Sequence, residues 1–153
     1  KKRESTTDMD YRKEQNVFYI RIDKGENVLD TIRAVCRKEQ IGGGFFTGIG
    51  ACDSAVLSTY LPEKSDFIDH RIAGMIEMVS LTGNISCDKN GQPFLHSHAV
   101  FSQRRESGEI AVTAGHLTEA RIGYTGEIVL TSAEKAIARK FDDVSGIEVW
   151  NLS

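Results

Sequence analysis

The chain has 153 residues and a mass of 16.9 kDa, enough for one domain that buries its own core. Lys and Arg number 19 against 22 Asp and Glu, a formal charge of −3, which argues against an autonomous grip on nucleic acid, where a basic surplus is the rule. Cys36, Cys52 and Cys87 form no CxxC pair, and no apolar run nears the ~18 residues of a spanning helix, so a cytoplasmic protein without a disulfide framework or membrane anchor is expected.

Residues 1–15 are almost wholly polar and read as a flexible tail, with Lys1, Lys2 and Arg3 as its basic tip. The folded domain is expected over 16–153. Val17 to Ile22 is β-branched and aromatic, the composition of a strand. Val28, Leu29, Ile32, Val35 and Cys36 then recur at helical spacing and form one apolar stripe. Asn27 or Glu26 stands at the start of that helix, and Gly42-Gly43-Gly44 lies beyond its end.

About ninety residues of β texture follow. Phe45 to Tyr60 predicts two strands broken around Gly50 to Asp53, and Phe67 to Ser86 holds a long apolar run. Asp88-Lys89-Asn90-Gly91 is a hairpin signal, because Asn-Gly accepts the positive φ of a tight turn. Phe94 to Phe101, Glu109 to Leu117 and Ile122 to Thr131 predict three more strands. Ser132 to Phe141 predicts a short helix capped by Ser132, with Glu134 in its first turn, and Ile147 to Leu152 a closing strand. Strands gathered in one block imply an α+β fold with a largely antiparallel sheet rather than a doubly wound parallel one.

Histidine is the informative residue type. His96 and His98 are two apart on a strand and so share a face with Phe94 and Val100, while Leu95, Ser97, Ala99 and Phe101 take the other. His116, in Gly115-His116-Leu117, lies one hairpin later, where an antiparallel neighbour would bring it beside the pair. Three neutral imidazoles with an open fourth position suit Zn²⁺ or a similar divalent ion. The alternative is three polar residues hydrogen-bonded in a sheet. His70 stands apart and reads as solvated.

Glu77 interrupts the apolar run Met75-Ile76-Glu77-Met78-Val79. It is a candidate proton-transfer or supporting group near the histidines, or else an edge carboxylate paired with an arginine such as Arg139. No P-loop, GxGxxG or GxSxG pattern occurs, so nucleotide binding or serine hydrolysis by those routes is disfavoured. The glycines at 42–44, 48 and 50 read as sites of close strand packing or bulges.

The block Gly74-Met75-Ile76-Glu77-Met78-Val79-Ser80-Leu81-Thr82-Gly83-Asn84 resembles the signature of the plants and prokaryotes conserved (PPC) domain. Pro93 to Ala99, Gly115-His116-Leu117, Gly48 to Ala51, and Arg139 with Ser145-Gly146-Ile147 are similar to its prokaryotic form. The likeness spans about residues 16–152. It implies an α+β fold with a mixed, mainly antiparallel sheet flanked by one longer and one or more short helices, a homotrimer, and a DNA-binding, transcription-associated role, with the histidines as a metal site. It implies a single-domain prokaryotic member, because no Arg-Gly-Arg-Pro AT-hook is present and Met75 stands where plant members carry arginine. The net charge does not support DNA as a partner, and a trimer triples it. Two further readings stay open: a metal-dependent enzyme or small-molecule-binding protein of unknown reaction, and an oligomerisation module alone.

Overall fold

The computed structural model describes residues 9–153. The basic tip Lys1 to Arg3 lies outside them. The elements in chain order are β1 (Asp10–Glu14), β2 (Val17–Asp23), α1 (Val28–Lys38), β3 (Gly44–Leu61), a 3₁₀ turn (Pro62–Lys64), β4 (Asp66–Cys87), β5 (Pro93–Arg104), β6 (Ile110–Ser132), β7 (Ala138–Asp142) and β8 (Ile147–Asn151).

Every strand pairing is antiparallel. The main sheet runs β1-β2-β6-β3-β4-β5, and β5 also pairs with β6. Strands β3, β4, β5 and β6 therefore form a meander whose last strand returns to its first, a closed ring. β7 and β8 form a separate hairpin.

The helix forms where its apolar stripe predicts. Val28, Leu29, Ile32, Val35 and Cys36 are all buried. The Asn27 side chain accepts from the Asp30 N–H at 3.1 Å, satisfying one of the donors a helix start leaves open. Asp30 in the first turn and Arg37 and Lys38 in the last complement the helix dipole. Against this stripe pack Phe18, Ile20 and Ile22 of β2, Phe46 and Leu57 of β3, Ile76, Met78 and Leu81 of β4, Phe101 of β5, and Ile122, Ile128 and Leu130 of β6, as one core. They come from alternate positions, so each strand gives one face to the core and one to the outside.

Several expectations are corrected. The molecule is mostly β with one α-helix among its described residues, and its sheet is antiparallel rather than mixed. The stretch 1–15 is not all tail: β1 pairs residue by residue with β2, and its Tyr11 donates to Glu39 at 2.7 Å. Polar composition misled here because an edge strand with only Tyr11 turned inward needs little apolar content.

The paired strands expected over 45–60, and again over 109–131, are single long strands that bend at bulges, between Gly48 and Gly50 and between Cys52 and Ser54 on β3. The helix expected over Ser132–Phe141 does not exist. Ala133 donates to Gly43 and Ile137 to Gly42, while Cys87 donates to Ile137. These bonds hold the segment extended. Gly42 makes them possible, because a Cβ there would stand 2.7 Å from Cys87 Sγ and 2.8 Å from Ala136 Cβ. The Asp88–Gly91 turn is present, but only Gly91 takes a positive φ, and Asp88 Oδ1 accepts from Asn90 and Gln92.

Candidate metal centre

The histidines are set by register. Strand alternation turns Ser97, Ala99 and Phe101 into the core and leaves His96 and His98 outside, as expected from the sequence. The β5–β6 pairing places His116 directly opposite His98. Gly115 lets β3 approach on the other side, since a Cβ there would stand 3.2 Å from the Ser58 carbonyl oxygen.

His116 Nδ1 and His98 Nε2 lie 3.2 Å apart, and one ligand nitrogen from each of the three rings falls within 4.8 Å of the others. Two imidazoles bound at ~2.0–2.1 Å to one tetrahedral zinc hold their nitrogens roughly 3.3 Å apart. The His98–His116 pair therefore already stands at the spacing a first-row divalent ion needs, and His96 lies near enough to complete the set. Among the described residues this is the one such cluster of three.

Burial first, then the charges of His98 and Arg139, holds His96 below the ordinary histidine pKa. Burial and the charges of His96 and His98 do the same for His116. Both rings are thus neutral near pH 7, the form that coordinates a metal.

The surroundings follow from the same registers. On the outer face the cross-strand row His98–His116 continues through Ser58 of β3 to Asp69 of β4. Ser58 Oγ donates to Asp69 Oδ1 at 2.6 Å and lies 2.9 Å from Thr118 Oγ1. The Phe67 ring packs on His116 at 5.4 Å between centroids, and Tyr60 packs edge-on against Phe67 at 5.2 Å. These two rings wall the cluster on one side.

On the other side Asn84 stands opposite His96, and the next pair along, Ser86 and Phe94, lies under the β7–β8 hairpin. Arg139 of β7 donates to Ser86 Oγ at 3.2 Å and to the Glu148 carbonyl oxygen at 2.7 Å, with its guanidinium 4.3 Å above the Phe94 ring. Sequence reasoning missed this arginine as a neighbour of the histidines. It is 23 to 43 positions away from them in the chain, and nothing local signals where its hairpin docks.

Glu77 is not brought to the cluster. It sits opposite Ala51 and Ser102, beyond a bulge that separates it from the Thr82–His98 pair. The run around it is not buried on both faces: Ile76 and Met78 point inward, while Met75, Glu77 and Val79 point out. Its expected partner Arg139 is bound elsewhere. His70 is exposed, as expected.

A cavity of about 620 Å³ lies away from the chemistry, between the C-terminal end of α1, the Gly91–Pro93 turn and Ala133 to Ala136. Cys36 and Cys87 line it, both free, and burial pushes the Cys36 thiol up to about 12, which makes it a poor nucleophile.

Fold and cluster together define a small antiparallel β protein with an exposed histidine triad on one face. The chain belongs to the Plants and Prokaryotes Conserved (PCC) domain family, whose model matches residues 9–134. Among solved structures it is similar to a protein from Bacteroides thetaiotaomicron (TM-score 0.84, 27% identity, 94% of this chain and 96% of that one covered). It is also similar to one from Ralstonia eutropha (TM-score 0.82, 26% identity, 94% and 96% covered). Both carry the description "putative DNA-binding protein". A third, called a metal-containing protein, comes from Archaeoglobus fulgidus (TM-score 0.77, 27% identity, 94% and 97% covered). Comparison with curated proteins returns no match. No helix among the described residues is long and apolar enough to cross a membrane.

Proposed function

We propose that the protein is a self-associating member of this family that holds a divalent ion, zinc or one like it, on His96, His98 and His116, and uses the open coordination position to bind a small molecule. The observation that carries this reading is the convergence of three ring nitrogens within 4.8 Å on a solvent-facing surface, with two of the rings held neutral. The metal-containing relative from Archaeoglobus supports it. When bound, such an ion supplies Lewis-acid polarisation of a coordinated oxygen. The chain's own residues position the ligand: the Phe67 and Tyr60 rings exclude water on one flank, and exposed Thr118, beside the Ser58–Asp69 pair, offers a hydrogen bond in the adjoining row.

Metal analysis of protein purified without a histidine tag tests the reading. About one ion per chain is expected. His96→Ala and His116→Ala should each lower occupancy by at least ~10-fold, as loss of one of three ligands implies. Unchanged metal content in both variants would overturn the site.

Association with DNA is a second reading, favoured only by the description of two relatives. The charge of −3 opposes it. Fluorescence anisotropy with duplex DNA at low salt decides: no binding there removes the direct-contact version, because phosphate contacts are strongest at low salt.

A further inference from the structure

The site as described carries too much positive charge. Three neutral imidazoles leave a divalent ion uncompensated, and among the described residues no carboxylate joins the cluster. The acid in the same cross-strand row, Asp69, is two strands beyond His116 and is taken by Ser58.

Arg139 adds a further cation: its guanidinium lies over the Phe94 ring, which shares the outer face of β5 with His96, two residues on. A cation beside a metal site would be destabilising unless something anionic comes between them. Nothing among the described residues does so. Both hydrogen bonds of Arg139 go to neutral oxygens, Ser86 Oγ and the Glu148 carbonyl. A guanidinium has five N–H donors, and its Nε–H is buried with no partner. The group is also stiffened: the Phe94 ring lies 4.3 Å below it and two bonds fix its plane. A rigid guanidinium with spare donors beside an open metal position is built for a planar or tetrahedral oxyanion.

We infer that Arg139 is the anion-recognising residue of the site, and that the small molecule bound there carries a carboxylate or phosphonate-type oxyanion held between the metal and Arg139. This rests on the metal reading above. The flanks then have distinct tasks. The β7–β8 hairpin receives the charged end of the ligand, and Phe67 with Tyr60 receives an apolar remainder across the triad.

The test uses the full chain loaded with Co²⁺, titrated with acetate and with methylphosphonate while the visible bands of the ion are followed. Wild type should bind both, and Arg139→Gln should weaken both by about 10-fold with cobalt content unchanged, the usual scale for one charge-assisted pair. Arg139→Lys should fall between, because an ammonium keeps the charge and loses the fork. Ser86→Ala removes one of the two bonds that fix Arg139 and keeps its charge, so it should weaken both anions, but by clearly less than Arg139→Gln does.

If wild type retains no metal, the metal reading fails and this inference with it. Metal retained with equal anion affinity in wild type and Arg139→Gln overturns this inference alone. So does an equal loss in Ser86→Ala and Arg139→Gln, which would make Arg139 a peg for the hairpin. If Arg139→Gln sheds its metal, Arg139→Lys decides, and affinity equal to wild type there counts against the proposal.

Discussion

At the scale of single residues, the histidines were legible because a strand has only two faces. His96 and His98 had to point together, and one antiparallel turn was enough to bring His116 to them. Their protonation gives a prediction. Both lowered rings bind fewer protons in the folded metal-free protein than in the unfolded chain, where histidine titrates near ~6.5. Stability therefore rises with pH through this window and is lost as pH falls from about 7 toward 5. Thermal unfolding in chelator should show a midpoint that drops over that range, with a shallower drop in His96→Gln/His116→Gln. A midpoint that climbs on acidification would contradict the assignment. Glu77 was misread for a related reason. An acid inside an apolar run looks buried, but here the run alternates between a core face and an outer face that is itself apolar.

At the scale of elements, what was readable was local and what was missed was tertiary. The α1 stripe and the Asn27 cap were both legible. Asn27→Ala should cost about 1 kcal/mol in chemical denaturation, with the fold kept. A cost near zero would mean the cap bond is replaced by water. The segment after Ser132 shows the opposite case. Its serine, glutamate and alanines have helical character, yet Ala133 and Ile137 donate to the Gly43 and Gly42 carbonyls and the Ile137 carbonyl accepts from Cys87. Those bonds depend on a strand and a loop 50 to 95 residues earlier, and no local pattern announces them. The same holds for the hairpin that carries Arg139.

At the scale of the whole molecule, the outer face of the sheet is the open question that the core leaves. Phe45, Ile49, Val79, Met75, Tyr19 and Val129 are all exposed, Ile49 by 58%. Single exposed apolar side chains are ordinary, but a contiguous set on adjacent strands marks an interface. Ile49 lies opposite Glu127 of β6, and Phe45 and Ile49 alternate with the buried Phe46 along β3. A homotrimer of the kind the family resemblance implies would have this face to bury. Ile49→Glu with Val79→Glu should convert an associated species to monomer in sedimentation equilibrium while leaving far-UV circular dichroism unchanged. A wild-type chain that sediments as a monomer at tens of micromolar would remove the trimer. The family and the antiparallel core were legible in the sequence because they rest on a continuous central block. The exposed apolar face was less so, because its side chains are scattered over four strands.

The closed ring has a consequence for how the chain reaches its fold. The three histidines all belong to β5 and β6, strands joined by one short turn, whereas the ring closes only when β6 finds β3, with Ser58 and His116 58 positions apart. Local pairings form early and distant ones late. The ligand set is therefore complete in a hairpin that precedes closure, and an ion bound there would stabilise the hairpin while β3 is still unpaired. Refolding from denaturant should then be faster with Zn²⁺ than with chelator, and His116→Ala should erase the difference. An ion that slows only unfolding would place its capture after the ring has shut.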